Sequence, residues 1–311
     1  MVAPMLAVLN VLLPIFALIL AGYLCRRTGC LGETAASELN RLVVWLCLPA
    51  LLFHTTATAT LDEIWHPGFI AVISIGSLAV FFATLLYRLR GRSLADASID
   101  GLSAAYANTG YIGIPLCVLV LGDDGLAPAL IASLIVVCVL FSVAVVLVEV
   151  GLQRAGSPLR VLGRVTLALA KNPLVVAPLL GGVWNLSGLL QPVAMARLLE
   201  LLGDATVPCA LVSLGLFLAQ PQPAAPRGAA GLVLIKLLVQ PALVWGLAMY
   251  VFHLPPLWAK AALLLSALPT GTGPFMLAEF YGREAAVVAR AVLWSTLGSL
   301  VTLSLCLLWL G

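Results

Sequence analysis

Long apolar runs alternate along this chain with short polar stretches. Because a bilayer core about 30 Å thick needs roughly 20 apolar helical residues to cross it, each run predicts one transmembrane helix. The runs lack the residue-by-residue alternation of membrane β-strands. The pattern therefore predicts an all-α membrane protein with ten transmembrane helices, at residues 5–25, 37–57, 68–88, 98–121, 126–148, 165–187, 195–219, 229–252, 257–280 and 285–309.

The overall composition supports the same class. Of the 311 residues, 62% are hydrophobic and 9% are charged, and the mean hydropathy of +1.14 is far above that of soluble domains. The longest polar connections, near residues 88–98 and 152–164, are too short for a separate soluble domain. Residues 1–25 contain no Lys or Arg, and the first basic pair follows them, which is the reverse of a signal peptide. The first run is therefore expected to remain as a helix.

The distribution of charge predicts the orientation. Most Lys and Arg residues lie at the odd-numbered connections, from Arg26 and Arg27 after the first helix to Arg283 after the ninth. The even-numbered connections carry acidic residues such as Asp62 and Asp123. Since positively charged loops stay in the cytoplasm, we expect both termini outside it, in a protein of the bacterial inner membrane.

The two halves of the chain repeat each other at an offset of 159 residues. This shift relates predicted helix 1 to helix 6, helix 2 to helix 7 and helix 4 to helix 9. Because each unit crosses the membrane five times, an odd number, the second copy enters the membrane from the opposite side, as in the inverted repeats of secondary transporters. We therefore expect one repeat at residues 1–155 and a second at residues 156–311. The matched residues are Pro14 and Pro173, Pro49 and Pro208, Pro67 and Pro226, Pro115 and Pro274, Gly22 and Gly181, and Gly29 and Gly188.

Predicted helices 4 and 9 contain helix breakers at corresponding positions, in NTGYIGIPL from Asn108 to Leu116 and in LPTGTGPF from Leu268 to Phe275. Proline removes a backbone donor and glycine eases non-helical backbone, but unwound backbone persists in a membrane only against protein or a water-filled cavity. The positive N-terminal ends of half-helices would suit a carboxylate. Ordinary proline kinks are the alternative. The candidate substrate-binding residues are Asn108, Thr109, Gly110, Gly113, Pro115, Pro269, Thr270, Gly271, Thr272, Gly273 and Pro274.

Three polar residues inside the predicted spans are candidates for coupling: Asp204, Lys236 and Gln240. Lys236 either extends to the cytoplasmic surface or faces the bundle interior as an anion partner or proton-linked switch, with Gln240 on the same face. Asp204, if buried, could carry a proton or bind a cation. The nearby Arg197 and Glu200 are expected to form a surface ion pair.

No catalytic or metal-binding pattern occurs in the sequence, which lacks GxSxG, HExxH and P-loop motifs. The seven cysteines and three histidines are dispersed along the chain. We therefore expect no enzyme activity, no metal site and no cofactor, and either a proton or Na⁺ remains open as a coupling ion.

At these residues the chain resembles the auxin efflux carrier family, which includes plant PIN-type carriers and bacterial malonate and malate permeases. The resemblance covers essentially the whole chain. It rests on LNRLVVWLCLPALLFHT from Leu39 to Thr55, on NTGYIGIPL, and on LPTGTGPFMLAEFYG followed by VLWSTLGSLVTL from Val292 to Leu303.

The resemblance implies two inverted five-helix repeats, with helices 1, 2, 6 and 7 as a scaffold and helices 3–5 and 8–10 as a moving transport domain. Broken helices 4 and 9 would cross at the substrate site. The related bile-acid sodium symporters surround this crossing with acidic and amide residues that bind sodium. Helix 9 of this chain has no acidic residue before Glu279, so a sodium site is not implied by its motif.

We therefore expect a secondary active transporter of a small organic anion, a carboxylate, working by alternating access. The alternatives are a sodium-coupled organic anion symporter of the bile-acid type, an anion channel through the same broken helices, and a receptor that binds without transport. The expected partners are the anion, the lipid bilayer and a second copy of the chain through the scaffold helices. No nucleic acid partner is expected.

Overall fold

The computed structural model describes residues 2–58, 65–153, 166–167, 170–220 and 228–310. Asp62 and Pro226 lie outside these ranges, and so does the start of predicted helix 6. The described chain is helical, without a strand. Its helices are α1 Val2–Arg27, α2 Ala35–Thr58, α3 Pro67–Arg88, α4a Leu94–Ala105, α4b Ile114–Leu121, α5 Asp123–Leu152, α6 Pro173–Leu186, α7 Val193–Leu218, α8 Ala229–Val251, α9a Pro256–Ser266, α9b Gly273–Phe280 and α10 Ala285–Leu310.

Six of the described helices, α2, α3, α5, α7, α8 and α10, are long and apolar enough to cross a membrane. Two shorter apolar helices, α6 and α9a, accompany them. These lengths agree with the predicted all-α membrane class. The finer prediction of ten transmembrane helices in two inverted repeats stays a prediction.

In two places a capping side chain begins a helix where the apolar pattern does not predict a start. Helix α4a begins four residues before the predicted start, because the Ser93 hydroxyl accepts a hydrogen bond from the Asp96 amide at 3.2 Å. Predicted helix 6 is interrupted at Asn172, whose side chain accepts from the Leu174 amide at 3.0 Å and begins α6. The pattern of apolar residues cannot predict such capping hydrogen bonds, because polar side chains make them.

The interrupted helices, α4 and α9, each consist of two halves. Helix α4a ends at Ala105 and α9a ends at Ser266. Helix α9b carries Pro274 in its first turn, whereas α4b, which contains Pro115, continues from a π-helical turn at Thr109–Gly113. Because first-turn amides have no partner within a helix, proline is tolerated at the start of α9b. Pro274 therefore begins a new half-helix, but Pro115 lies within helical backbone that begins at Thr109.

An ionic cluster joins the ends of α3 and α4a to the connection between α9b and α10. The buried Asp100 carboxylate lies 3.2 Å from Arg88 Nε and 3.2 Å from an Arg92 nitrogen. Arg283 donates to Asp96 at 2.8 and 2.5 Å, and these hydrogen bonds raise the pKa of the Arg283 guanidinium. The cluster fastens the half-helices of α4 and α9 to one another at this end.

Candidate functional site

The unwound segments of α4 and α9 pair with each other where the two helices cross. The Asn108 amide donates to the Pro269 carbonyl at 3.0 Å, and the Gly271 amide donates to the Tyr106 carbonyl at 3.0 Å. Together they form an isolated antiparallel β-bridge. Four backbone groups freed by the breaks are thus satisfied by the opposing segment. This pairing explains how non-helical backbone is accommodated at this depth.

Side chains secure the same crossing from two directions. The Thr270 hydroxyl donates to the Ser103 carbonyl at 2.9 Å, and the Thr270 amide donates to Ser295 Oγ on α10 at 3.0 Å. Thr270 is 1% exposed. Thr270 therefore holds the unwound segment of α9 against α4a and α10.

The glycines of the α9 segment are required by the close approach of Tyr106. A Cβ added at Gly271 would lie 2.9 Å from the Tyr106 ring, and one added at Gly273 would lie 2.7 Å from it. Larger residues at these positions would push the aromatic ring out of the crossing. The Gly-Thr-Gly pattern is thus explained by packing.

A cavity of about 320 Å³ lies beside this crossing. Helices α2 and α7 form one wall, and α4 and α5 form the other. Gly110, in the π-helical turn Thr109–Gly113 that follows the unwound residues of α4, is exposed at the cavity, while Asn108 is half-buried and Thr109 is buried. The lining residues are Leu51, Leu52, Thr55, Gly110, Ile114, Leu130, Ser133, Val137, Cys138, Gly203, Asp204 and Val207.

The structure brings only some of the predicted residues to this cavity. Gly110 and Asp204 line it. The α9 candidates from Pro269 to Pro274 are buried in the crossing instead. Gly113 is also buried, and a Cβ added there would lie 2.9 Å from the Leu265 side chain. The Pro115 side chain lies outside the described part of the structure.

The acidic residues of α7 differ in their surroundings. Asp204 is exposed and faces the cavity, so the burial on which its predicted proton or cation binding depended is not found. The predicted surface pair is confirmed, with Arg197 3.2 Å from Glu200. Glu200 also lies 4.0 Å from His54 Nε2 on α2. Asp204 itself has no ion-pair partner within the described residues.

Lys236 and Gln240, the candidates on α8, both face the bundle interior. Lys236 is 0% exposed and Gln240 is 1% exposed, so Lys236 does not extend to the surface. The Lys236 ammonium donates to the Ser266 carbonyl at 2.7 Å, and Gln240 Nε2 donates to the Ala105 carbonyl at 3.0 Å. These partners are the final residues of α9a and α4a.

Several buried polar atoms near the crossing have no hydrogen-bond partner in the described protein: Ser103 Oγ, Thr109 Oγ1 and Gln240 Oε1. Buried polar atoms are normally paired, so such a group of atoms is unusual. All three lie on residues of the crossing or in contact with it. The site can therefore accept further polar contacts.

Sequence reasoning missed two polar residues of the cavity, Thr55 and Ser133. Each hydroxyl donates to the carbonyl four residues earlier, Thr55 to Leu51 at 2.7 Å and Ser133 to Ala129 at 2.8 Å. Their oxygens retain the capacity to accept a hydrogen bond. A single hydroxyl inside an apolar run is the only signal in the sequence, and it is a common one.

Within the described residues, no three His, Cys, Asp or Glu side chains come together in a way that could hold a metal ion. The polar character of the site comes instead from hydroxyls, an amide, backbone groups and the Asp204 carboxylate. Such groups can hold a small polar ligand through hydrogen bonds.

Comparison with known proteins identifies the family. The profile described as "Membrane transport protein" matches residues 7–307. A protein named "Putative malonate transporter" from Rhizobium meliloti (strain 1021) is 29% identical, over 95% of this chain and 93% of its own. An "Uncharacterized transporter" from Methanothermobacter thermautotrophicus is 30% identical, over 94% and 95%. A "Probable auxin efflux carrier component 1b" from Oryza sativa subsp. japonica is 32% identical, over 51% of this chain and 30% of its own. The chain is therefore an integral membrane protein of the membrane transport protein family, the auxin efflux carriers, whose members are transporters and not enzymes.

Proposed function

We propose that this protein is a secondary active transporter that moves a small carboxylate across the membrane by alternating access. The observation that carries the proposal is the cavity between the α2–α7 wall and the α4–α5 wall, with Gly110 of the crossing exposed in it. A cavity bordered by two separable groups of helices can be opened and closed by moving one group against the other.

The boundaries of the elements support two inverted five-helix repeats, at residues 1–155 and 156–311. Pro115 and Pro274, 159 residues apart, are each the second residue of an eight-residue α-helix, although a π-helical turn at Thr109–Gly113 precedes the first of these helices. Gly29 and Gly188, related by the same shift, have φ angles of 76° and 69° after α1 and α6. Equivalent backbone turns at equivalent positions favour a duplicated unit of five transmembrane helices.

Helix packing supports the division into a scaffold and a transport domain. Helix α1 packs against α7, and α6 packs against α2. The 159-residue shift exchanges these two pairs. Helices α3, α4a and α5 pack together, as do α8, α9a and α10. The proposed scaffold is α1, α2, α6 and α7, and the proposed transport domain is α3–α5 with α8–α10.

The two repeats differ in a way that suits alternating access. The α4b side of the crossing opens on the cavity, but the equivalent α9b side is closed against the scaffold. Asn40 on α2 donates to the Met276 carbonyl at 3.4 Å, and the rings of Phe217 and Phe275 lie 5.3 Å apart. An open first side and a closed second side are what one end state of such a carrier requires.

The chemistry of the site favours a carboxylate as the substrate. The Asn108 side-chain amide and the unpaired Thr109 hydroxyl are neutral donors, and the N-terminal end of the helical segment that begins at Thr109 carries a partial positive charge. Thr270, the third predicted donor, is occupied by its bonds to Ser103 and Ser295. The name of the Rhizobium meliloti relative agrees with a small carboxylate. Asp204 and Lys236 with Gln240 are the proposed coupling region. A bacterial inner membrane location, both termini outside the cytoplasm, and a homodimer through the scaffold complete the proposal.

The test is uptake of a radiolabelled carboxylate panel, including malonate, by proteoliposomes containing the full chain. Saturable uptake that accelerates when the vesicles are preloaded with the same anion is expected. Uptake that neither saturates nor shows this acceleration would indicate a channel. A requirement for an inward Na⁺ gradient would favour the bile-acid type of symporter. Binding without uptake of any anion would contradict the transport function.

A further inference from the structure

Lys236 lies deep in the molecule with its ammonium at the end of a half-helix. Its side chain is 0% exposed, and Nζ donates to the carbonyl of Ser266 at 2.7 Å. Ser266 is the last residue of α9a. Because the final carbonyls of a helix lack partners within the helix and carry about half a negative charge, the ammonium stands at the most negative point of α9a.

Gln240 makes the matching contact with the other interrupted helix. It lies one turn after Lys236 on α8, is 1% exposed and donates to the carbonyl of Ala105 at 3.0 Å. Ala105 is the last residue of α4a. One face of α8 therefore contacts the C-terminal ends of both half-helices, and it places the Lys236 Nζ against one of them.

No carboxylate balances this charge in the described residues. Helix α8 packs against α3, α4a, α9a and α10. The carboxylates on these elements belong to α4a, where Asp96 pairs with Arg283 and Asp100 pairs with Arg88 and Arg92. The ammonium is therefore stabilised by helix dipoles and carbonyl oxygen. The charged residues on the packed elements are Arg88, Asp96, Asp100, Lys260 and Arg290.

In transporters with interrupted helices, half-helix C-terminal ends and unwound carbonyls are where a coupling cation is coordinated. We propose that the Lys236 ammonium takes the place of that cation, as a positioning residue that stabilises the crossing without a bound metal ion. The inference rests on the transport function proposed above and extends it. It makes anion transport independent of Na⁺, Li⁺ and K⁺.

The first test measures thermal stability and needs no substrate. Purified full-length protein is heated in NaCl, LiCl, KCl or choline chloride at one ionic strength. The wild-type Tm should be the same in all four salts. The Lys236→Met protein should lose several degrees in choline and recover at least part of the loss in NaCl or LiCl, because binding to the folded state raises Tm.

Lys260→Met is the matched control, since Lys260 Nζ also donates to a terminal helix carbonyl, that of Leu310, at 3.0 Å. Any loss of Tm in this variant should not depend on the cation. A wild-type Tm that rises in NaCl over choline would overturn the inference, and so would a Lys236→Met loss that no small cation restores. If the Met variant cannot be purified, Lys236→Gln takes its place.

A second measurement connects the residue to transport. In proteoliposomes, Lys236→Met should lower the maximal rate of radiolabelled malonate uptake by roughly tenfold, the effect of losing about 1.4 kcal/mol of stabilisation. Adding Na⁺ should restore part of the lost rate of uptake. Unchanged uptake by the variant would count against the inference. Absence of malonate uptake by the wild type would bear on the proposed substrate alone, because the thermal measurement stands without it.

Discussion

Gly22 on α1 lies directly against the backbone of Val212 on α7, where an added Cβ would be 2.2 Å from the carbonyl oxygen. The residue 159 positions later, Gly181 on α6, has the same relationship to α2, since a Cβ there would be 2.5 Å from the Phe53 carbonyl oxygen and 2.0 Å from Thr56 Oγ1. Small residues let membrane helices approach closely. The two contacts hold the proposed scaffold together.

Replacing Gly181 with Ala should therefore destabilise the protein by roughly 1–3 kcal/mol, because the new methyl group meets backbone that cannot move aside. The neighbouring Gly182→Ala is the matched control, since nothing lies within 4 Å of its Cβ position. That change should be neutral or slightly stabilising, as alanine favours helix. Thermal unfolding in detergent measures both. Equal Tm values for the two variants would contradict the close α2–α6 contact.

Gly110 offers a test of the cavity that does not involve stability. It is exposed at the cavity, and nothing lies within 4 Å of its Cβ position. Gly110→Ala should leave Tm unchanged, while Gly110→Leu should raise the KM for the transported anion severalfold because it fills part of the cavity. Gly273→Ala, which would meet the Tyr106 ring, should lower Tm instead. Wild-type KM in Gly110→Leu would show that the anion binds elsewhere.

The sequence predicts most of the helices, because an apolar run long enough to cross a membrane usually forms one helix. It also predicts the break in α9, where Pro269 and the neighbouring glycines disfavour continuous helix, but the break in α4 lies at residues 106–108, before the glycines and Pro115 on which its prediction rests. It does not predict that Asn108 and Pro269 pair across the crossing, or that Lys236 reaches Ser266. Such contacts join distant parts of the chain and depend on how whole helices pack, which local patterns do not report.

Asp204 should oppose the entry of the anion. It is exposed at the cavity, and a carboxylate there repels an incoming anion. The other acidic residue nearby, Glu200, lies toward the end of α7 beside His54.

Asp204→Asn should therefore raise uptake by roughly tenfold, equivalent to about 1.4 kcal/mol, because it removes the charge and keeps the shape of the side chain. Glu200→Gln is the control on the same helix, since Glu200 pairs with Arg197 at 3.2 Å and is not among the residues lining the cavity. Initial rates in proteoliposomes measure the effect. A wild-type rate in Asp204→Asn, or an equal rise in Glu200→Gln, would show that the Asp204 carboxylate does not act on the anion.

Tyr281 connects the two proposed domains on the closed side of the crossing. Its hydroxyl donates to Glu149 Oε1 on α5 at 2.6 Å and accepts from Asn172 Nδ2, before α6, at 2.8 Å. Tyr281→Phe removes both hydrogen bonds and keeps the ring. Since each such bond contributes about 0.5–1.5 kcal/mol, the closed side should open several times more often.

A cysteine placed at Asn40, which contacts Met276 on that side, should consequently react faster with a water-soluble maleimide when Tyr281 is Phe. A cysteine at Thr55 in the open cavity should react more slowly, because opening one side closes the other. Tyr23→Phe, on the exposed part of α1, should change neither rate. If both cysteines became more reactive together, Tyr281 would be a general stabiliser of the fold, and the coupling between the two sides would have to be sought elsewhere.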